Sequence, residues 1–113
     1  MDIKQYFEYE SECIPKEIVL QVDEQILDDL YASSDIFEKF NVYFHLQNNF
    51  FNLYNNGNYK EAAYICYLIS YYLFVALTPS HSENLAKEYA QKAIKMDSCP
   101  KYLEWLDEVK KGN

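Results

Sequence analysis

The stretch GNYKEAAYICYLISYYLFVALTPS, Gly57 to Ser80, carries no formal charge between Glu61 and Glu83. A run of that kind leaves two main options: a membrane span, or a helix with neighbours on nearly every side. A bilayer span takes about 20 predominantly apolar residues. Residues 62–77 form a 16-residue uncharged run, and Pro79 closes it. Membrane tyrosines gather at the two interfaces. Here Tyr64, Tyr67, Tyr71 and Tyr72 sit through the middle, with Ser70 among them. Each hydroxyl would need a partner inside the bilayer. The stretch is therefore expected to be the central buried helix of an all-α domain.

The rest of the chain agrees with that expectation. Its 113 residues fit one domain, and they include only two glycines and three prolines. So few breakers favour long helices over a many-turned β fold. Residues 1–13, with their YFEYESE alternation, read as an acidic-aromatic arm, strand-like or loosely ordered. A first helix is expected from Pro15 through the run ending LYA, with Val19, Val22, Ile26, Leu27 and Leu30 at helical spacing. The SSD at 33–35 supplies caps for a second helix carrying Ile36, Phe37, Phe40, Tyr43, Phe44, Phe50, Phe51 and Tyr54. Gly57 is free to take the left-handed position that ends it. The third helix spans Tyr59 to Leu77. A Ser80-x-x-Glu83 capping box opens a fourth, striped by Leu85, Tyr89, Ala93 and Met96. Pro100 opens a short fifth, stopped by Gly112. Short loops make sequential helices antiparallel neighbours in a bundle or short array.

GNYKEAAYICYLI resembles the inter-helix turn and second helix of a tetratricopeptide repeat, through Gly57, Tyr59, Ala62 and Ile69. LAKEYAQKAIKMD resembles the same helix again, through Ala86, Ala90, Ala93 and Asp97. The resemblance covers roughly residues 40–100 and implies closely packed helical hairpins with a concave face for a partner. The small residues Ala62, Cys66 and Ser70 form one close-approach ridge; Ala86, Ala90 and Ala93 form another. Ala62 and Ala86 are 24 residues apart rather than one repeat of about 34, so the third helix serves two hairpins. NYKEAAYICYLISYY is also similar to the second helix of the microtubule-interacting-and-transport domain.

Several chemistries are excluded by what is missing. Gly57 is the only internal glycine, so no phosphate-cradling loop and no G-x-S-x-G elbow can be written. All ten basic residues are lysine. Without arginine the chain lacks the bidentate fork that reads phosphate and guanine. Its net charge of −8 also opposes direct nucleic-acid binding. Cys13, Cys66 and Cys99 have neither disulfide-framework nor zinc spacing, and read as reduced thiols of a cytoplasmic protein. The start MDIKQYFEYESEC has no apolar secretory segment. His45 and His81 stand without a Cys, His or carboxylate at ligand spacing, so no catalytic residue, metal or cofactor is assigned. A metal-dependent enzyme using the Asp23, Glu24, Asp28 and Asp29 carboxylates is the weaker alternative, since no E-x-x-H partner accompanies them.

Charge and aromatic residues point instead to protein binding. Residues 1–38 hold eleven Asp/Glu and two Lys, a net of −9, while residues 39–113 sum to +1. Glu8, Glu10 and Glu12 of the arm, with Asp23, Glu24, Asp28 and Asp29, form the expected acidic surface. Tyr64, Tyr67 and Tyr71, with Phe74, recur as one stripe and read as a second core face or as a partner groove. A small, acidic, tyrosine-rich chain of this kind resembles bacterial immunity proteins and antitoxins. That resemblance implies inhibition of a basic, nuclease-type protein partner; no membrane contact is expected, from the short, tyrosine-interrupted uncharged run. The alternative within the same class is a chaperone or scaffold holding a peptide in the tyrosine-lined groove.

Overall fold

The computed structural model describes residues 3–8 and 10–112 and, among them, is all-α with no strand. Met1, Asp2 and Tyr9 of the expected arm, and Asn113, lie outside the described residues. The six α-helices are α1 (Lys16–Val19), α2 (Glu24–Ser33), α3 (Ile36–Asn55), α4 (Tyr59–Tyr71), α5 (Ser82–Met96) and α6 (Pro100–Lys111). A π-helical segment, Tyr72–Leu77, continues α4.

Local chemistry sets most boundaries. Asp35 and Glu38 form a reciprocal capping box at the start of α3: Glu38 N–H donates to Asp35 at 2.8 Å and Asp35 N–H to Glu38 at 3.1 Å. Gly57 at φ +77 ends that helix. Its N–H donates to the Tyr54 carbonyl and the Asn58 N–H to the Leu53 carbonyl, the two bonds of a Schellman cap. Pro100 occupies the first turn of α6, where a missing N–H costs nothing.

Three expectations need correction. The first helix is not continuous: α1 stops at Val19 and α2 restarts at Glu24. Asp23 takes an extended backbone and accepts the Ile26 N–H at 2.9 Å. This cap and turn place both Val19 and Val22 in the core, fully buried. The arm holds a 3-10 turn, Ile3–Phe7, rather than a strand, and Phe7 is buried edge-on to His45. The Ser80–Glu83 capping box does not form. Thr78 and His81 both take left-handed backbone, α5 begins at Ser82, and Glu83 instead pairs with Lys87 at 3.5 Å.

The molecule measures 33 × 31 × 20 Å, so its thinnest dimension is about two helix diameters. α4 lies at the centre, with every residue from Ala62 to Ser70 buried. The span Tyr59–Leu77 is long and apolar enough to cross a membrane by length and composition, but 67% of its apolar window is buried inside this fold. Ser70 donates to the Ala86 carbonyl at 2.6 Å, which joins the two small-residue ridges of α4 and α5. Leu46, Leu53 and Val42 of α3 pack on another side of α4. Tyr72 reaches the Lys39 carbonyl at 2.6 Å and ties the end of α4 back to α3.

Candidate functional site

The tyrosine stripe and the acidic face expected as separate surfaces meet each other. Tyr64 donates to the Val22 carbonyl at 2.6 Å, Tyr67 to Glu24 at 2.7 Å, and Tyr71 to Asp28 at 2.9 Å. Tyr67 and Tyr71 are one turn apart on α4, and Glu24 and Asp28 are one turn apart on α2, so the two helices present matching rungs. Tyr64 is 8% and Tyr67 5% exposed, and Tyr71 is half-buried. The stripe is thus an internal face between α4, α2 and α6. It does not line an open groove.

The other rim of this face is aromatic and basic. Tyr67 stacks on Tyr64 and Tyr102, and meets Trp105 edge-on at 5.8 Å. Trp105 donates to Ser70 at 2.7 Å. Lys101 pairs with Glu24 at 3.3 Å and lies 4.9 Å from the Tyr67 ring centre. Burial alone would raise the Glu24 pKa, but the Tyr67 hydrogen bond and Lys101 outweigh it and hold the carboxyl below its usual value. Burial, then the Glu24 and Asp23 charges, push Tyr64 up to about 12. Burial and the Asp28 hydrogen bond do the same for Tyr71, also to about 12. Tyr67 is raised further, by burial first and Glu24 second. These are phenols held neutral beside carboxylates, a structural use of acid rather than a poised proton-transfer pair.

The remaining expected residues are dispersed. Asp23 is spent on its cap, and Asp29 accepts from Gln25 at 2.9 Å and faces Lys4 at 3.9 Å. Glu8, Glu10 and Glu12 are exposed. Asn49 holds the arm near α3: it accepts the Ile14 N–H at 2.7 Å and donates to the His45 carbonyl at 2.7 Å. Burial lowers the His45 pKa, opposed by a hydrogen bond with the Glu8 backbone. Burial pushes the Cys66 thiol up to about 12, which makes it a packing group rather than a nucleophile. Among the described residues, no group of three or more His, Cys, Asp or Glu is placed to hold a metal.

The structure exposes a surface not anticipated from the sequence. Along α3, Phe37, Phe40, Phe44, Phe51 and Tyr54 are between 41% and 62% exposed. With Gln47 they occupy six successive positions spaced alternately three and four apart. This heptad stripe is distinct from the buried one, Val42, Leu46, Asn49 and Leu53. The signal was present as two interleaved periodicities on one helix.

Two flanks border the exposed stripe. On the arm side, Glu8 and Glu38 stand beside Phe37, and Glu10 beside Phe44. On the α5 side, Leu85 lies against Phe40 and Phe44; Gln47 bonds to Tyr89 midway. At the far end a hollow of about 400 Å³ is bounded by Phe51, Tyr54, Lys92, Lys95 and Met96. Acids and lysines therefore lie diagonally across the stripe. No family model, no curated protein and no solved structure matches this chain.

Proposed function

We propose that this chain is a non-enzymatic, acidic protein-binding module that occludes a basic protein partner, in the manner of an immunity protein or antitoxin acting on a nuclease-type toxin in the cytoplasm. The observation that supports it is the exposed aromatic face of α3 edged by the exposed acids Glu8, Glu10 and Glu38. Exposed apolar patches rimmed by polar residues mark interaction sites. Acids at its border steer a cationic partner and speed the encounter, and the aromatic anchors then slow dissociation.

The contact surface so proposed lies on α3 and the arm rather than on α2. Glu24 and Asp28 are committed to tyrosines and Asp23 to its cap, so most of the acidity of α2 serves the fold. Tetratricopeptide-like hairpin packing is compatible with this use, with the outer surface of α3 in place of a concave tyrosine-lined groove.

Isothermal calorimetry against a panel of basic nucleases and an acidic control protein tests the proposal. Binding is expected to fall by at least about tenfold between low and physiological salt, and with Glu8→Lys/Glu10→Lys. Affinity that ignores both changes, or that favours the acidic control, overturns it.

A further inference from the structure

The exposed stripe of α3 also indicates the shape of what covers it. A helix on the surface of a globular core turns a broad apolar face inward, whereas a narrow seam spaced three and four apart is the pattern by which one helix runs along another. α3 carries both. Its inward stripe already meets the core through Val42, Leu46 and Leu53. Phe40, Phe44, Gln47, Phe51 and Tyr54 form the second, over about four turns. The lone polar position, Gln47, is tied to Tyr43 and Tyr89, which fixes it midway.

Charge decides between occupants. Two copies set face to face are related by a two-fold axis lying in the contact plane. With the axis across α3, each flank meets its own copy, so the arm glutamates face arm and the lysines face α5. With the axis along α3, the glutamates meet the uncharged end of the α5 flank near Leu77, Pro79 and Leu85. Neither arrangement joins the acids to Lys92 and Lys95, because those groups lie diagonally across the seam. A second copy would also bring −8 against −8.

We infer that the seam seats an amphipathic α-helix of a different, basic protein: apolar at heptad spacing over about four turns, with basic residues on the flank facing Glu8, Glu10 and Glu38, and none at the end facing Lys92 and Lys95. This rests on the reading that the partner is basic, and adds that its docking element is a helix. Helix-on-helix docking of this kind derives affinity from a few anchors at i, i+3 or i+4, and i+7.

Fluorescence anisotropy with designed peptides tests it. Three probes of about 18 residues share length and label: leucine heptads flanked by lysine, leucine heptads flanked by glutamate, and a lysine peptide of scrambled spacing. The first is expected to bind at least about tenfold more tightly than either other. Phe44→Asp should remove that advantage with the thermal melt unchanged, and Glu8→Lys/Glu10→Lys should weaken the lysine-heptad peptide alone. Equal binding of the scrambled lysine peptide overturns the helix inference while leaving the basic-partner reading standing. Equal or tighter binding of the glutamate peptide overturns both. A dimer of the chain alone in sedimentation, made monomeric by Phe44→Asp, assigns the seam to a second copy and overturns the inference.

Discussion

Two aromatic stripes run along adjacent helices, and the fold disposes of them oppositely. On α4, Tyr64, Tyr67 and Tyr71 face inward, and each hydroxyl donates to a group on or just before α2. On α3, Phe40, Phe44 and Phe51 face outward. Spacing alone does not distinguish them. The difference lies in what a phenol requires: a buried hydroxyl must find an acceptor, and α2 supplies two carboxylates at one-turn intervals. A phenylalanine ring makes no such demand on the fold, and Phe40, Phe44 and Phe51 stay 41–58% exposed although Leu85 lies against the first two. Hydrogen-bonded hydroxyls thus mark the buried aromatic face, and rings that need no such partner make up most of the exposed one.

The sharpest way to break the comparison is truncation. Tyr67→Ala removes a ring stacked on Tyr64 and Tyr102 and leaves Glu24 with Lys101 but without the phenol donor. It should cost roughly 3–5 kcal/mol in urea unfolding; a loss below about 1 kcal/mol would mean that the α4 stripe is not a core face.

Alkaline titration sharpens it next. Tyr64 and Tyr71 are each raised to about 12, above the unfolded value of about 10. A raised folded pKa favours the neutral phenol, so this stabilisation is fully present below pH 10 and is lost as pH rises toward 12. Tyrosinate absorbance and circular dichroism should therefore change together over that window. Complete ionisation near pH 10 with the helical signal intact would contradict the buried ladder.

The smallest effect belongs to the other stripe. Phe44→Ser, at an outward position 58% exposed, should change stability by no more than about 0.5 kcal/mol. A larger loss in the same urea measurement would assign α3's outer face a structural role and weaken the contrast.

Much of the fold was legible because its signals are local. The caps around Asp35 and Gly57, the proline opening α6 and the uncharged centre of α4 placed α3, α4 and α6 closely. The break between α1 and α2 was not legible. Val19, Val22, Ile26 and Leu30 fit an unbroken helical period, and Asp23 reads equally as a surface acid or a cap until Val22 is seen buried before it. The candidate surfaces were legible as residue types but not as neighbours. Tyr67 meets Glu24 across 43 residues, and no spacing rule reaches that far. The outer stripe of α3 was hidden by its own inner one, since the aromatics of both faces read together as one richly apolar helix.

Trp105 is the chain's one tryptophan, and it sits on α6 with its ring against Tyr67 and Tyr71 of α4 and Phe74 of the π-helical segment that follows. The protein therefore carries an intrinsic optical probe on the face that holds it together. Tryptophan emission will follow the undocking of the C-terminal helix, while a ligand settling on α3 leaves that ring's surroundings in place. Folding and binding can be recorded in separate channels from the same unlabelled protein.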